Sequence, residues 1–343
     1  MNFEWQAFLE TQSTTIGEDG AVEFGKAEDF PECALFDLSH LGLIEIKGDD
    51  AETFIQGQTT NDVTKLTAQL SQLSSLCTPK GRMMANFRLL MRDDAYLLQL
   101  PMSTHRAIMK RLSMYILMSK VVITDAGDRL ARIGVAGDCA PALLEKHFST
   151  LPTNSGEVTQ EKNCTLIKHP GSTSRFEVIG EAECIIDLWG ALATAAAPGS
   201  PDLWSLYDLR AGIPTIFQET SEAFIPQMAN MDLVDGVSFT KGCYTGQEIV
   251  ARMKYLGKLK RRMYLAHVDD DQRPLPGDDL FSSSSTSGKG AGKVVDARPS
   301  PYGGYELLAE MEISGYEGND MHLGSEEGPK LEFRELPYVF DEE

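Results

Sequence analysis

The sequence predicts an α+β protein built from a duplicated α+β unit and a C-terminal all-β module. The pattern I-x-[IV]-x-G-D-x-A-x-x-[FL]-[IL] occurs twice, from Ile44 and from Ile133. A strand, a Gly-Asp turn and a helix start recur in both places, and repetition of this kind marks one supersecondary unit used twice. Past Gly257 the apolar runs are short and separated by Gly, Pro and Ser, which is the texture of strands alone.

Taken in order, residues 1–34 are acidic, punctuated by Gly and Pro and without a sustained period, and read as an irregular lead-in. In the first unit, 35–128, residues 43–47 alternate as a strand, 48–50 turn, and 51–56 form a short helix. The polar stretch 58–63 reads as loop and 73–77 as a strand. Residues 83–91 and 95–100 form a hairpin, and Ser103 caps a helix reaching Tyr115. The second unit, 129–257, repeats the pattern, with strands at 164–168 and 175–179, a helix at 184–196, and Asp202 capping a helix over 203–211. The C-terminal module, 258–343, has strands at 262–268, 292–296, 305–313 and 331–333. Its Gly288-Lys289-Gly290 lacks the spacing of a phosphate-binding loop.

Composition narrows the function. With 31 basic and 51 acidic residues the net charge is -20, which opposes a broad phosphate-backbone footprint and makes direct tRNA binding unfavourable. No run of about 18 apolar residues is present to span a membrane, and the first residues lack the pattern of a secretory leader, so a cytoplasmic protein is expected. Six cysteines and six histidines are scattered without ligand spacing, so neither a disulfide framework nor a metal site is expected.

One stretch concentrates chemistry: Lys241-Gly242-Cys243-Tyr244-Thr245-Gly246-Gln247-Glu248. Thr245 followed three residues later by Glu248 and then an apolar run is a capping-box signature, with Thr245 as N-cap and Tyr244 and Ile249 as a hydrophobic staple. Cys243 then has two readings. It is a small buried apolar residue, as free cysteines often are, or a thiol activated by the helix start and the neighbouring Lys241. Behind it, Arg252, Lys254, Lys258, Lys260, Arg261 and Arg262 put six positive charges into eleven residues with no acid among them. They form either a solvated face or a local patch for a small polyanion.

The same eight residues closely resemble the K-G-C-[FY]-x-G-Q-E signature of the YgfZ family of folate-binding proteins. Further matches are residues 56–63, Lys80-Gly81-Arg82-Met83, Ala211-Gly212-Ile213-Pro214, Phe224-Ile225-Pro226-Gln227 and Leu336-Pro337-Tyr338. The resemblance runs from about residue 35 to the C-terminus. It implies two ferredoxin-like units and a C-terminal β-barrel in the ring arrangement of the glycine-cleavage T-protein. It also implies a tetrahydrofolate or other folate, held near Asn61, Asn86, Arg88, Arg210 and Gln227. The implied role is support of iron–sulfur enzymes or their assembly, including tRNA-thiomethylating ones, with Cys243 as the key thiol, Lys241 beside it, and Arg252 closing the motif.

Two departures matter. Asn86 stands where the T-protein relatives carry an aspartate, and an amide cannot serve as a general base. Arg210 stands where they usually carry a glutamate, so it is either an exposed helix residue or a partner for the folate glutamate tail. A self-sufficient aminomethyltransferase is therefore disfavoured against an accessory protein; a protein- or RNA-binding adaptor is the third reading.

Overall fold

The computed structural model describes residues 1–25, 30–285 and 290–340. The chain divides into two compact units. Unit 1 holds residues 1–55, 63–72 and 87–204, and unit 2 holds 56–62, 73–86 and 205–343.

The N-terminal stretch is not irregular. It forms α1 (Phe3–Thr11), capped by the Asn2 side chain, and the small hairpin β1 (Thr14–Ile16) and β2 (Val22–Phe24). Burial supplies what the sequence did not advertise. Trp5 and Leu9 are fully buried, and Trp5 Nε1 donates to Asp37 Oδ1 at 2.7 Å, at the end of β3 (Ala34–Asp37).

The repeat is built as expected. In the first copy β4 (Leu41–Lys47) leads into α2 (Ala51–Gln56). After β5 (Gln72–Cys77) come the hairpin β6 (Met83–Arg92) and β7 (Ala95–Pro101), α3 (Met102–Ser113) and β8 (Val122–Asp125). The spatial order β6-β7-β4-β8 is that of a ferredoxin-like sheet. In the second copy β9 (Leu130–Ala136) leads into α4 (Ala140–Leu144). It continues through β10 (Val158–Glu161), β11 (Cys164–Lys168), β12 (Arg175–Glu181), α5 (Ala182–Leu192) and β13 (Ala197–Pro198). Its order is β10-β11-β12-β9-β3-β13. Here β3 pairs antiparallel with β9, in the place that β8 takes beside β4 in the first copy.

The two Gly-Asp turns match in detail. Gly48 and Gly137 have φ of +127° and +112°. A Cβ on Gly48 would lie 2.1 Å from the Lys120 carbonyl oxygen just before β8, and one on Gly137 would lie 2.0 Å from that of Glu32 just before β3. Only glycine allows that backbone and that approach. The sheets share a core of Leu43, Leu90, Leu97, Leu130, Ile167 and Ile179. The β3–β9 pairing also joins Cys33 to Cys139 in a disulfide across 106 residues, which the scattered spacing had hidden. Cys164 and Cys184 remain free thiols with their sulfurs 2.7 Å apart.

Unit 2 carries α6 (from Pro201 to Arg210, entering the unit at Ser205), α7 (Gln247–Tyr255) and the C-terminal module. α6 starts earlier than expected because Ser200, not Asp202, caps it, its hydroxyl accepting from the Leu203 N–H. The module comprises β14 (Arg261–Val268), β15 (Asp279–Phe281), β16 (Gly292–Pro299), β17 (Tyr305–Glu312), α8 (Ile313–Glu317), β18 (His322–Leu323) and β19 (Glu332–Arg334). Its order is β18-β15-β16-β17-β14-β19. Residues 329–331 bond back to 321–323 while β19 pairs with β14, so one short segment touches both margins and the sheet curls towards a barrel. Of the Gly288-Lys289-Gly290 stretch, which lacks phosphate-loop spacing, Gly288 and Lys289 lie outside the described residues. Among the described residues no helix is long and apolar enough to cross a membrane.

Replacing Gly48 or Gly137 by alanine should cost more than about 2 kcal/mol each, since the strained φ adds to the clash with a carbonyl. Urea unfolding of the two variants measures it. Equal stability of either variant and the parent would contradict the close approach.

Candidate functional site

The eight-residue motif in unit 2 is a loop alternately anchored and displayed. Lys241 is 8 % exposed, and its Nζ donates to the carbonyl oxygens of Gln56 (2.8 Å), Thr59 (2.7 Å) and Asn61 (2.7 Å). An ammonium has three donors, and all three are used. Burial pushes its pKa down to about 8, with the Asp62 carboxylate pulling the other way. The Nζ also stands 5.2 Å from the Tyr244 ring centroid, and Tyr244 is buried. Gly242 and Cys243 point outward and are exposed. Gln247 closes the loop, its amide directed at the carbonyls of Lys241 (3.4 Å) and Gly242 (3.3 Å).

Two expectations about this loop need correction. Thr245 does not cap the helix. α7 starts at Gln247 with Gly246 at the cap, φ +86°, and no side chain bonds the cap. The reason is packing: a Cβ on Gly246 would lie 2.4 Å from the Thr78 carbonyl oxygen, so a glycine must pass there before the helix can begin. Glu248 is left exposed, without the reciprocal bond of a capping box. Nor is Lys241 a partner for the thiol, because its protons are committed to the 56–61 segment. Cys243 stands four residues before α7, beyond the reach of the first-turn dipole. Cys243 is nonetheless not a buried apolar residue: of the four free cysteines, Cys77 and Cys164 are buried, Cys184 is half-buried, and Cys243 is exposed.

The motifs seen separately in the sequence meet around this loop. The 56–62 segment is stitched to the chain just before Lys241, with Thr60 Oγ1 donating to the Gly236 carbonyl (2.7 Å) and Asn61 Nδ2 to that of Asp235 (2.6 Å). The Thr78–Gly81 turn packs against Gly246 and Ile249. The Met83 N–H donates to the Phe224 carbonyl at 2.8 Å, and Gln227 Nε2 to that of Val250 at 2.7 Å. Sequence reasoning missed that the contribution of 56–61 is its backbone. A polar, aperiodic run directly after a helix end, where carbonyls have no intrahelical donor, is the signal that was available.

The residues expected around a folate are largely occupied by the protein itself. Asn86 Nδ2 donates to the Pro214 carbonyl (2.7 Å), and its Oδ1 accepts from the Ile216 N–H (2.9 Å). An aspartate could accept the second bond but not make the first. Asn61 Nδ2 is shared between the carbonyls of Leu73 and Asp235. Arg210 is not an exposed helix residue: half-buried, it grips Glu306 of β17 through Nε (2.8 Å) and Nη2. Arg88, in unit 1, is buried and donates to Ser71 Oγ at 3.1 Å. Gln227 alone keeps a buried oxygen, Oε1, with no hydrogen-bond partner. Arg252 is exposed on α7.

Residues 31–199 match the GCVT N-terminal domain. The tRNA-modifying protein YgfZ of Cronobacter sakazakii is 33% identical over 315 residues, 90% of this chain and 94% of that one. This chain belongs to the YgfZ family. The YgfZ proteins of Colwellia psychrerythraea and Photobacterium profundum are 34% and 35% identical over 73% and 80% of this chain. In fold, this YgfZ-family chain is similar to the glycine cleavage system aminomethyltransferase T of Bartonella henselae, with a TM-score of 0.74 over 99% of this chain and 98% of that one, at 15% identity.

Two outcomes follow from the site. Asn86→Asp should destabilise unit 2 by about 2 kcal/mol or more, because a buried carboxylate would face the Pro214 carbonyl; denaturant titration measures it, and a neutral substitution would contradict the assigned bonds. Lys241 binds fewer protons folded than unfolded between its pKa of about 8 and the ordinary lysine value of about 10.4. Its contribution to stability therefore rises with pH across that window. The parent should gain stability relative to Lys241→Met between pH 8 and 10, and parallel pH profiles would contradict the buried ammonium.

Proposed function

We propose that this chain is an accessory protein of tRNA modification, acting through Cys243 on iron–sulfur enzymes that thiomethylate tRNA or on their assembly proteins. The observation that carries the reading is the display of one exposed free thiol on a loop whose flanks are fixed. The Lys241 ammonium holds one end and Gly246 and Gln247 the other. A thiol kept accessible at this conformational expense suits docking or handling more than packing, since free cysteines are otherwise mostly buried. The relatives' name, tRNA-modifying protein, supplies the process.

A folate belongs to this reading through the family and its GCVT domain. When bound, it would supply one-carbon chemistry; no step is assigned to it here, because Asn61, Asn86 and Arg210 are committed within the protein. The aminomethyltransferase alternative lacks a base at residue 86, where an amide cannot accept a proton. An adaptor without thiol chemistry leaves the exposure of Cys243 unexplained.

In cells lacking this protein, the wild-type chain should restore the thiomethylated fraction of tRNA nucleosides, read by mass spectrometry, and Cys243→Ala should lose most of that rescue while remaining folded. Full rescue by Cys243→Ala would sink the thiol reading. Isothermal titration with tetrahydrofolate checks the cofactor separately: saturable heat is expected, and none at high micromolar ligand removes the folate from the proposal.

A further inference from the structure

Five of the six residues of the basic run behind the thiol loop share one cleft, and Arg252 lies outside it. Lys254, Lys258, Lys260, Arg261 and Arg262 line a cleft of about 960 Å³ between the end of α7, the start of β14 and α8. That volume is in the range of small-molecule sites. Counting Glu310, which holds Arg261, five cations stand beside four carboxylates there (Asp232, Glu310, Glu312 and Glu317), a small local excess of positive charge in a chain of net charge -20.

The cations differ in role. Arg261 is held by Glu310 at 2.7 Å, and Arg262 by Asp232 at 2.8 Å and the Gln227 carbonyl at 2.9 Å, so both guanidinium groups are fixed parts of the wall. Lys254, Lys258 and Lys260 are exposed, with long stems that can follow an anion. Three aromatic residues complete the lining, Tyr264, Tyr316 and Phe340. Tyr316 is stacked on Tyr264 with centroids 3.8 Å apart, and Phe340 lies 5.5 Å beneath the Arg262 guanidinium. Gln227 also lines the cleft and is 2% exposed. Its Nε2 is spent on Val250, which fixes the amide and leaves Oε1 as the buried acceptor without a partner. A buried acceptor left unpaired is costly and asks for an N–H or O–H donor.

An anion for the lysines, a flat ring for the aromatic wall and a donor for the glutamine are found together in one ligand class. We propose that this cleft binds a nucleotide, with its phosphate at Lys258 and Lys260, its base against Tyr316 and Phe340, and a base amino group directed to Gln227. The net charge argues against a long phosphate track but not against a single nucleotide held by local charge. The nucleotide comes either free or as one residue of an RNA strand. Neither Cys243 nor a folate enters this inference.

Calorimetry on the full chain with AMP, pyrophosphate, purine riboside monophosphate and a short single-stranded oligoribonucleotide tests it. Saturable AMP binding is expected, at least tenfold tighter than pyrophosphate and several-fold tighter than purine riboside monophosphate, which lacks the amino group. The Lys258→Glu/Lys260→Glu double variant alters only exposed side chains and should weaken AMP at least tenfold. Tyr316→Ala should weaken AMP but not pyrophosphate. A preference for the oligoribonucleotide over AMP assigns the site to RNA, and the reverse to a free nucleotide. Pyrophosphate binding as tight as AMP, equal affinity in the double variant, or no heat with either AMP or the oligoribonucleotide at millimolar concentration would overturn the proposal.

Discussion

The ammonium of Lys241 inside its cup of three carbonyls is the interaction on which the organisation of unit 2 around the thiol depends. Carbonyls that follow a helix end need donors, and a charged donor satisfies three of them at once where no regular ladder exists. The desolvation that lowers the lysine pKa is the cost of this arrangement. In return, two segments about 180 residues apart in sequence are fixed to one another. Gly242 and Cys243 follow immediately, so the direction in which the thiol is presented is set by a bond it does not make.

The same logic changes the meaning of two substitutions. Asn86 looks from the sequence like a lost base; in the fold it is a donor and acceptor bridging the chain at Pro214 and Ile216, a task that needs both halves of an amide. Arg210 looks like a reversed ligand; in the fold it is one half of a two-pronged pair with Glu306. At both positions this chain uses its side chain to hold itself together.

Much of this was legible before any coordinates. The two Gly-Asp repeats foretold the paired sheets because the backbone at Gly48 and Gly137 excludes side chains, and that exclusion is written in residue identity. The hairpin β6–β7, helix α2 and strands β14, β16, β17 and β19 follow from local period and turn chemistry, whereas the short strands β15 and β18 do not. Helix α1 escaped because Trp5 and Leu9 are buried by partners distant in sequence, and the Cys33–Cys139 link because it depends on how β3 inserts beside β9.

The sequence by itself determined which residues belong together: the eight-residue motif, the 56–63 run, the Thr78–Gly81 turn and the 224–227 segment are each visible as unusual. What only the tertiary structure decided is what each does. Thr245 lost the helix cap to Gly246 because a carbonyl lies where a Cβ would stand. Lys241 lost the thiol to three backbone oxygens, and most of the basic run became the wall of a cleft. Spacing and residue type are local properties, whereas the partner of a hydrogen-bond donor is fixed by whichever acceptor the fold brings within reach.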